Sequence, residues 1–250
     1  MNKNLYKNLY KNPYKINLII YIFFIILFGI IFVVIINYYY GKTFKPCKTC
    51  IENEIFYINV ITPSNDLIDD LKTTLTNNSS KLNPKLNFNN AKGAKSNYGQ
   101  LPLEIIEFYE NKYYKDQVSA AVGEEVFYAD KNEQYRIFAR IYKKGDFLDW
   151  HYDNNFTIGN RYTLVIPVLV ENNTSEFMIK ERKTGEEKVI PIRIGKGVIY
   201  NGSITYHKIS EQMDGIRMVI IIPFYSNPKK TFFGEIREKI RNITDNYLTL

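Results

Sequence analysis

The sequence predicts a mainly β protein with flanking helices: a double-stranded β-helix, or jelly-roll, behind one N-terminal transmembrane helix. Three observations predict it. Between residues 134 and 225, seven short segments rich in β-branched and aromatic residues follow one another, separated by turn residues. Ahead of them, two stretches carry apolar residues at helical spacing. Near the amino terminus, residues 18–36 are nineteen consecutive residues without a charge.

The elements follow in chain order. Residues 1–15 are a low-complexity basic tail, in which an Asn-Leu/Pro-Tyr-Lys unit recurs with period four from residue 4. Residues 16–37 are a transmembrane signal anchor. At about 1.5 Å per residue, the apolar run is long enough to cross a bilayer core. Lys3, Lys7, Lys11 and Lys15 precede it, and the aromatic belt Tyr38, Tyr39 and Tyr40 follows. Its end shows no small-residue cleavage site, so it is expected to stay attached. Lys42, Lys45 and Lys48 nearly balance the preceding lysines. A short tail before a large domain nonetheless favours a single-pass type II protein with its domain in the lumen of the ER or Golgi. Residues 38–54 form a stalk holding the only cysteines, Cys47 and Cys50. In a lumen these can close a small disulfide or cross-link two chains; in a cytosol they stay reduced.

Residues 55–250 are one domain, long enough for a real core. Ser64 or Asn65 caps a helix running to Leu75, with Asp66, Asp69 and Asp70 near its positive end. Residues 77–99 read as a polar loop. Leu103, Ile106 and Tyr109 place a second helix over 102–114, and β structure is expected from Val118 onward. The strands are 134–142, 161–170, 176–180, 188–194, 196–200, 205–209 and 216–225, with helices on one face. A last helix covers 231–247.

Charge sharpens the picture. The chain carries +7, but residues 1–50 hold seven lysines and no acid, so residues 51–250 balance 26 basic against 26 acidic groups. The domain is neutral, and a nucleic-acid partner is not expected.

Function is carried by very few residues. The chain has two histidines. His151 opens His151-Tyr152-Asp153, and His207 follows 54 residues after Asp153. In an extended chain residues i and i+2 share a face, so His151 and Asp153 can grip one ion from one side. Two imidazoles and a carboxylate make the facial triad of Fe(II) oxygenases. Arg217, ten residues after His207, suits a carboxylate-bearing co-substrate. The turn Met213-Asp214-Gly215 is expected to bring its strand antiparallel to the one bearing His207.

These residues resemble those of the 2-oxoglutarate- and Fe(II)-dependent dioxygenases, especially the prolyl and lysyl hydroxylase branch. Tyr142-Lys143-Lys144-Gly145, five residues, then His151-Tyr152-Asp153 is similar to the Y-x-x-G-x5-H-x-D pattern of prolyl 4-hydroxylases. His207 to Arg217 is similar to the H-x9-R ending of lysyl hydroxylases, and Gly195-Lys196-Gly197-Val198-Ile199-Tyr200 to the strand before the distal histidine. The resemblance implies Fe(II) on His151, Asp153 and His207, and 2-oxoglutarate on Arg217. Tyr142 matches a tyrosine that bonds the same carboxylate, or else packs in the core; Thr163 is expected to face the same pocket. No catalytic residue beyond the metal ligands is implied. O2 is the co-substrate, ascorbate is allowed as an accessory, and a protein or peptide is the expected substrate. Collagen-type prolyl hydroxylases carry lysine where this chain has Arg217. That departure leaves proline unsecured as the target. The anchor also suits a lipid or small-molecule substrate, and the remaining alternative is an inactive jelly-roll used for binding, against which the three ligand types and Arg217 argue.

Overall fold

The computed structural model describes residues 20–29, 32, 45–49, 54–77, 94–95, 97–130 and 136–236. The chain divides into two units, Met1–Thr43 and Phe44–Leu250. In the first, residues 20–29 are helical. The rest of the anticipated anchor, residue 32 apart, lies outside the described residues. Among the described residues no helix is long and apolar enough to cross a membrane.

The second unit is built from two antiparallel sheets. The strands are β1 (Ile55–Asn59), β2 (Ala94–Lys95), β3 (Asn97–Gln100), β4 (Phe127–Tyr128), β5 (Phe138–Tyr142), β6 (Phe147–His151), β7 (Arg161–Glu171), β8 (Phe177–Lys180), β9 (Glu187–Ile190), β10 (Lys196–Asn201), β11 (Tyr206–Ile209) and β12 (Ile216–Tyr225). The large sheet runs β1-β10-β7-β12-β5-β3, with β4 also on β12; the small sheet runs β2-β6-β11-β8-β9. At the centre of the large sheet, β12 pairs with β7 from Ile216↔Glu171 to Tyr225↔Arg161. Both strands are near-continuous apolar runs because both of their faces are covered.

The pleat sorts their side chains between two cores. Leu164, Ile166, Met218, Ile220 and Ile222 turn outward and pack beneath three helices, α1 (Asn65–Asn77), α2 (Leu103–Tyr109) and α3 (Lys112–Val122). Val165 and Val219 turn inward, with Val198, Tyr142 and Tyr200, against Leu148, Phe177, Ile179 and Ile209 of the small sheet. Two packed sheets with helices on one side are the expected jelly-roll architecture.

Several elements depart from expectation. The helix expected over 102–114 is two helices. Asn111 breaks it by capping α3, its side chain accepting from the Tyr114 N–H at 3.3 Å and donating to the Phe108 carbonyl at 2.6 Å. Asparagine gains more as a cap than inside a helix. α3 then runs to Val122 and stops at Gly123, whose φ of 74° is left-handed, so β structure begins later than Val118. The expected loop 77–99 contributes β2 and β3 at sheet edges, its remainder from residue 78 lying outside the described residues. β6 is not among the expected strands, although an extended chain was expected at His151. Residues 232–236 are helical, and the rest of the expected last helix lies outside the described residues. Cys47 is disulfide-bonded and its backbone N–H donates to the Arg182 carbonyl at 2.8 Å; Cys50 lies outside the described residues.

Candidate functional site

The small sheet sets two imidazoles side by side. His151 ends β6 and His207 lies on β11, opposite each other in the register, their ring centroids 4.1 Å apart. Each Nδ1 faces the backbone carbonyl two residues earlier, Asp149 at 2.7 Å and Thr205 at 2.8 Å. A carbonyl only accepts, so each Nδ1 carries the proton and each Nε2 presents its lone pair to the same space. Asp153 completes the group. Its Oδ1 is 3.8 Å from both Nε2 atoms. The three ligand atoms lie within 4.8 Å of one another, the separation a single metal ion requires.

The Asp153 carboxylate is aimed by its other oxygen. Oδ2 accepts from the Thr163 hydroxyl at 2.7 Å and pairs with Arg161 Nη1 at 3.3 Å, leaving Oδ1 free. The backbone N–H of Asp153 donates to the Gly202 carbonyl at 2.8 Å. A β-carbon at Gly202 would stand 2.1 Å from Oδ2, so the carboxylate needs glycine there. Burial pushes the Asp153 carboxyl up, but Arg161, the two histidines and the Thr163 hydroxyl together outweigh it and hold it below the ordinary range. Burial lowers both histidines, His151 to about 3. Two neutral imidazoles and an ionised carboxylate form a donor set that binds a divalent cation without first losing protons.

Opposite this group, the large sheet presents Arg217. It is 2% exposed, among the most buried large side chains of the domain. Its Nη1 donates to Ser175 Oγ at 3.4 Å, its guanidinium lies 5.1 Å from the Tyr142 ring centroid, and its Nε has no partner. Among the described residues no carboxylate pairs with it, and burial lowers its pKa. Tyr200 lies between the two groups, its hydroxyl 3.3 Å from His207 Nε2, and it shares a packed cluster with Tyr142. A buried cation without a counter-ion is costly unless an anion completes it.

No protein-family model matches the sequence, and no curated protein matches it. Solved structures do match. AviO1 from Streptomyces viridochromogenes Tue57 aligns at 12% identity over 72% of this chain and 94% of its own, with a TM-score of 0.51. The non-haem α-ketoglutarate-dependent carbocyclase SnoK from nogalamycin biosynthesis aligns at 9% identity over 74% and 86%, with a TM-score of 0.50. The domain has the fold of the non-haem α-ketoglutarate-dependent oxygenases. A Pseudomonas putida prolyl-4-hydroxylase aligns less closely, at 12% identity over 69% and 92%, with a TM-score of 0.46. At these identities the likeness is one of fold.

Within that oxygenase fold, the structure gathers His151, Asp153 and His207. It places Arg217 and Tyr142 together on paired strands, directly opposite in the register. Thr163 enters the site through its bond to Asp153. Arg217 and His207 lie on different sheets, since residues 210–215 carry the chain from the small sheet to the large one. Asp153 also lies beyond the end of β6, held by Gly202 rather than by strand pairing with it. Sequence reading missed Arg161, Tyr200, Ser175 and Gly202. Arg161 had one signal, its i, i+2 spacing from Thr163 on a predicted strand, and Tyr200 ended the segment likened to the strand before the distal histidine; Gly202 had none.

Proposed function

We propose that this chain is a membrane-anchored Fe(II)- and 2-oxoglutarate-dependent dioxygenase that hydroxylates prolyl or lysyl side chains of proteins. The observation that carries the chemistry is a His-Asp-His donor group facing a buried arginine that has no carboxylate partner among the described residues. The donor set fits Fe(II): two neutral imidazole nitrogens and one carboxylate oxygen, with positions left open. Nε2 of His151, Nε2 of His207 and Oδ1 of Asp153 would hold the metal. Arg217 would take the distal carboxylate of 2-oxoglutarate, with Tyr142 against its guanidinium face. When bound, Fe(II) and 2-oxoglutarate supply the activation of O2 that puts a hydroxyl on carbon, releasing succinate and CO2.

The chain's own residues orient and shield. The Asp149 and Thr205 carbonyls fix both imidazole tautomers. Thr163 and Arg161 hold the carboxylate to one free oxygen, and the inter-sheet cluster keeps water from the floor. No side chain is needed as a general base. The choice of prolyl or lysyl targets rests on the sequence patterns around His151-Tyr152-Asp153 and Arg217. The anchor rests on the apolar run and the aromatic belt after it, and the lumenal placement on the short tail that precedes a large domain.

The test uses the full-length chain in detergent with Fe(II) and 2-oxoglutarate under anaerobic conditions. A visible metal-to-ligand charge-transfer band is expected, lost in His207→Ala and strongly weakened in Arg217→Ala. Its absence from folded wild-type protein would overturn the assignment.

A further inference from the structure

The hydroxyl of Tyr200 occupies an atom that the metal needs. Tyr200 lies on β10, 4% exposed, opposite Thr163 of β7 in the register, and directly opposite residues share a face. Its neighbour Ile199 turns the other way, into the cluster under the helices, while Val198 turns inward with it. From the large sheet the ring spans the gap to the small one. It packs edge-on to His207, with ring centroids 4.9 Å apart, and lies 5.2 Å from the Phe177 ring. Its hydroxyl ends 3.3 Å from His207 Nε2 and has no other hydrogen-bond partner among the described residues.

The direction of that bond is fixed by the other side of the imidazole. His207 Nδ1 keeps its proton for the Thr205 carbonyl, so Nε2 can only accept and the phenol donates. An imidazole nitrogen has one lone pair in the ring plane, and it cannot serve a phenol proton and a metal ion together. Among the described residues, His207 is the one ligand whose metal-facing atom accepts a hydrogen bond: His151 is bonded through Nδ1 and Asp153 through Oδ2. A metal that binds the three ligands therefore displaces the phenol. A buried hydroxyl left without an acceptor is unfavourable, so it must find another.

We propose that Tyr200 is a positioning residue that hands its hydroxyl over during loading. In the empty site it holds the metal-facing nitrogen of His207, and once a metal takes that nitrogen it passes to an oxygen of the co-substrate. This rests on the dioxygenase reading and deepens it. Tyr200 shares its packed cluster with Tyr142, whose ring lies 5.1 Å from the Arg217 guanidinium carbon. A co-substrate joining the metal to Arg217 brings the acceptor that the phenol has lost. One hydroxyl thus works against the metal alone and in favour of the co-substrate, which couples the two binding events.

The experiment compares the full-length chain with Tyr200→Phe, which keeps the ring and loses only the oxygen. Mn(II) is titrated first without co-substrate, followed by the electron paramagnetic resonance of the free ion. N-oxalylglycine, an inert 2-oxoglutarate analogue, is then titrated calorimetrically at saturating Mn(II). Tyr200→Phe is expected to bind Mn(II) about 3- to 10-fold more tightly and N-oxalylglycine about 3- to 10-fold more weakly, the range of one neutral hydrogen bond. A purely structural role would move both affinities the same way. Phe177→Leu is expected to do that, because it loosens the packing around both Tyr200 and His207. Any pattern in Tyr200→Phe other than the opposite shifts overturns the inference: both affinities falling together, either one unchanged, or metal binding weakened. Should Tyr200→Phe not fold, Tyr200→Met also lacks the hydroxyl and must show the same opposite shifts. Failure of wild type to bind Mn(II) and N-oxalylglycine overturns the dioxygenase reading and the handover together; normal loading of wild type without the opposite shifts in the variant overturns the handover alone.

Discussion

The two walls of the site meet opposite electrostatic problems. On the small sheet, His151 and His207 are buried and answer burial by staying uncharged, each Nδ1 tied to a backbone carbonyl. On the large sheet, Arg140 and Arg217 are buried, Arg161 is nearly so, and none can shed its proton at ordinary pH. Arg161 has Asp153; Arg217 has a hydroxyl at 3.4 Å and the face of a tyrosine. Histidine adapts its protonation to its surroundings, whereas arginine must find an anion. A wall built on histidine is therefore complete without a ligand, and a wall built on arginine is not.

The harshest way to break this contrast is Asp153→Ala, which removes a metal ligand from one wall and the counter-ion from the other. Divalent-metal binding, followed by calorimetry, is expected to vanish. Urea unfolding should show a loss of about 3 kcal/mol, because Arg161 is left buried and unpaired.

Comparing Arg161→Met with Arg217→Met sharpens the difference between the arginines. Arg161→Met strands a buried carboxylate and is expected to cost about 3 kcal/mol in the ligand-free chain. Arg217→Met relieves an uncompensated charge and should be neutral or stabilising by up to about 1 kcal/mol, while co-substrate affinity falls by about 100-fold. Equal destabilisation by the two substitutions would mean that Arg217 is not short of a counter-ion.

Acid probes the histidine wall. Burial depresses both histidines in the folded chain, so below their ordinary value of 6.5 the unfolded chain takes up protons that the folded chain refuses. Stability of the metal-free protein is therefore full above about pH 6.5 and falls as pH drops. His151 alone contributes a loss of about 2 kcal/mol at pH 5, continuing toward about pH 3, and His207 adds a loss in the same direction. Urea midpoints that stay flat from pH 7 to pH 5 would show the histidines to be ordinarily titrating.

Two milder changes test how the walls are joined. Gly202→Ala pushes a methyl group into the Asp153 carboxylate and is expected to weaken metal binding about tenfold, with co-substrate affinity measured at fixed metal saturation nearly unchanged. Ser175→Ala removes one long bond to Arg217 and should weaken co-substrate binding only about two- to threefold.

Much of this was legible in the sequence because it depends on local periodicity and on rare residue types. The run Ile216–Tyr225 shows its strand at sight, and two histidines in a chain of 250 leave few ways to build a metal site. β6 was not legible, because Asp149 and Trp150 interrupt its alternation and the register shifts beside it. Asn111 escaped period counting because a cap gains its energy from two backbone bonds rather than from a repeating face. Arg140 and Arg161 read as ordinary strand arginines until the pleat decided which way they point.

By itself, the sequence determined the strand-rich domain, the three ligand types and the arginine that follows them, since residue identity and short-range spacing are properties of the chain alone. The tertiary structure decided that Arg217 faces His207 from the opposite sheet, that Gly202 makes room for a carboxylate 49 positions earlier, and that Asp153 can satisfy only one of the arginines around it. These depend on which strands become neighbours and on how charge is shared across a buried space. No local pattern encodes either until the two sheets have closed on each other.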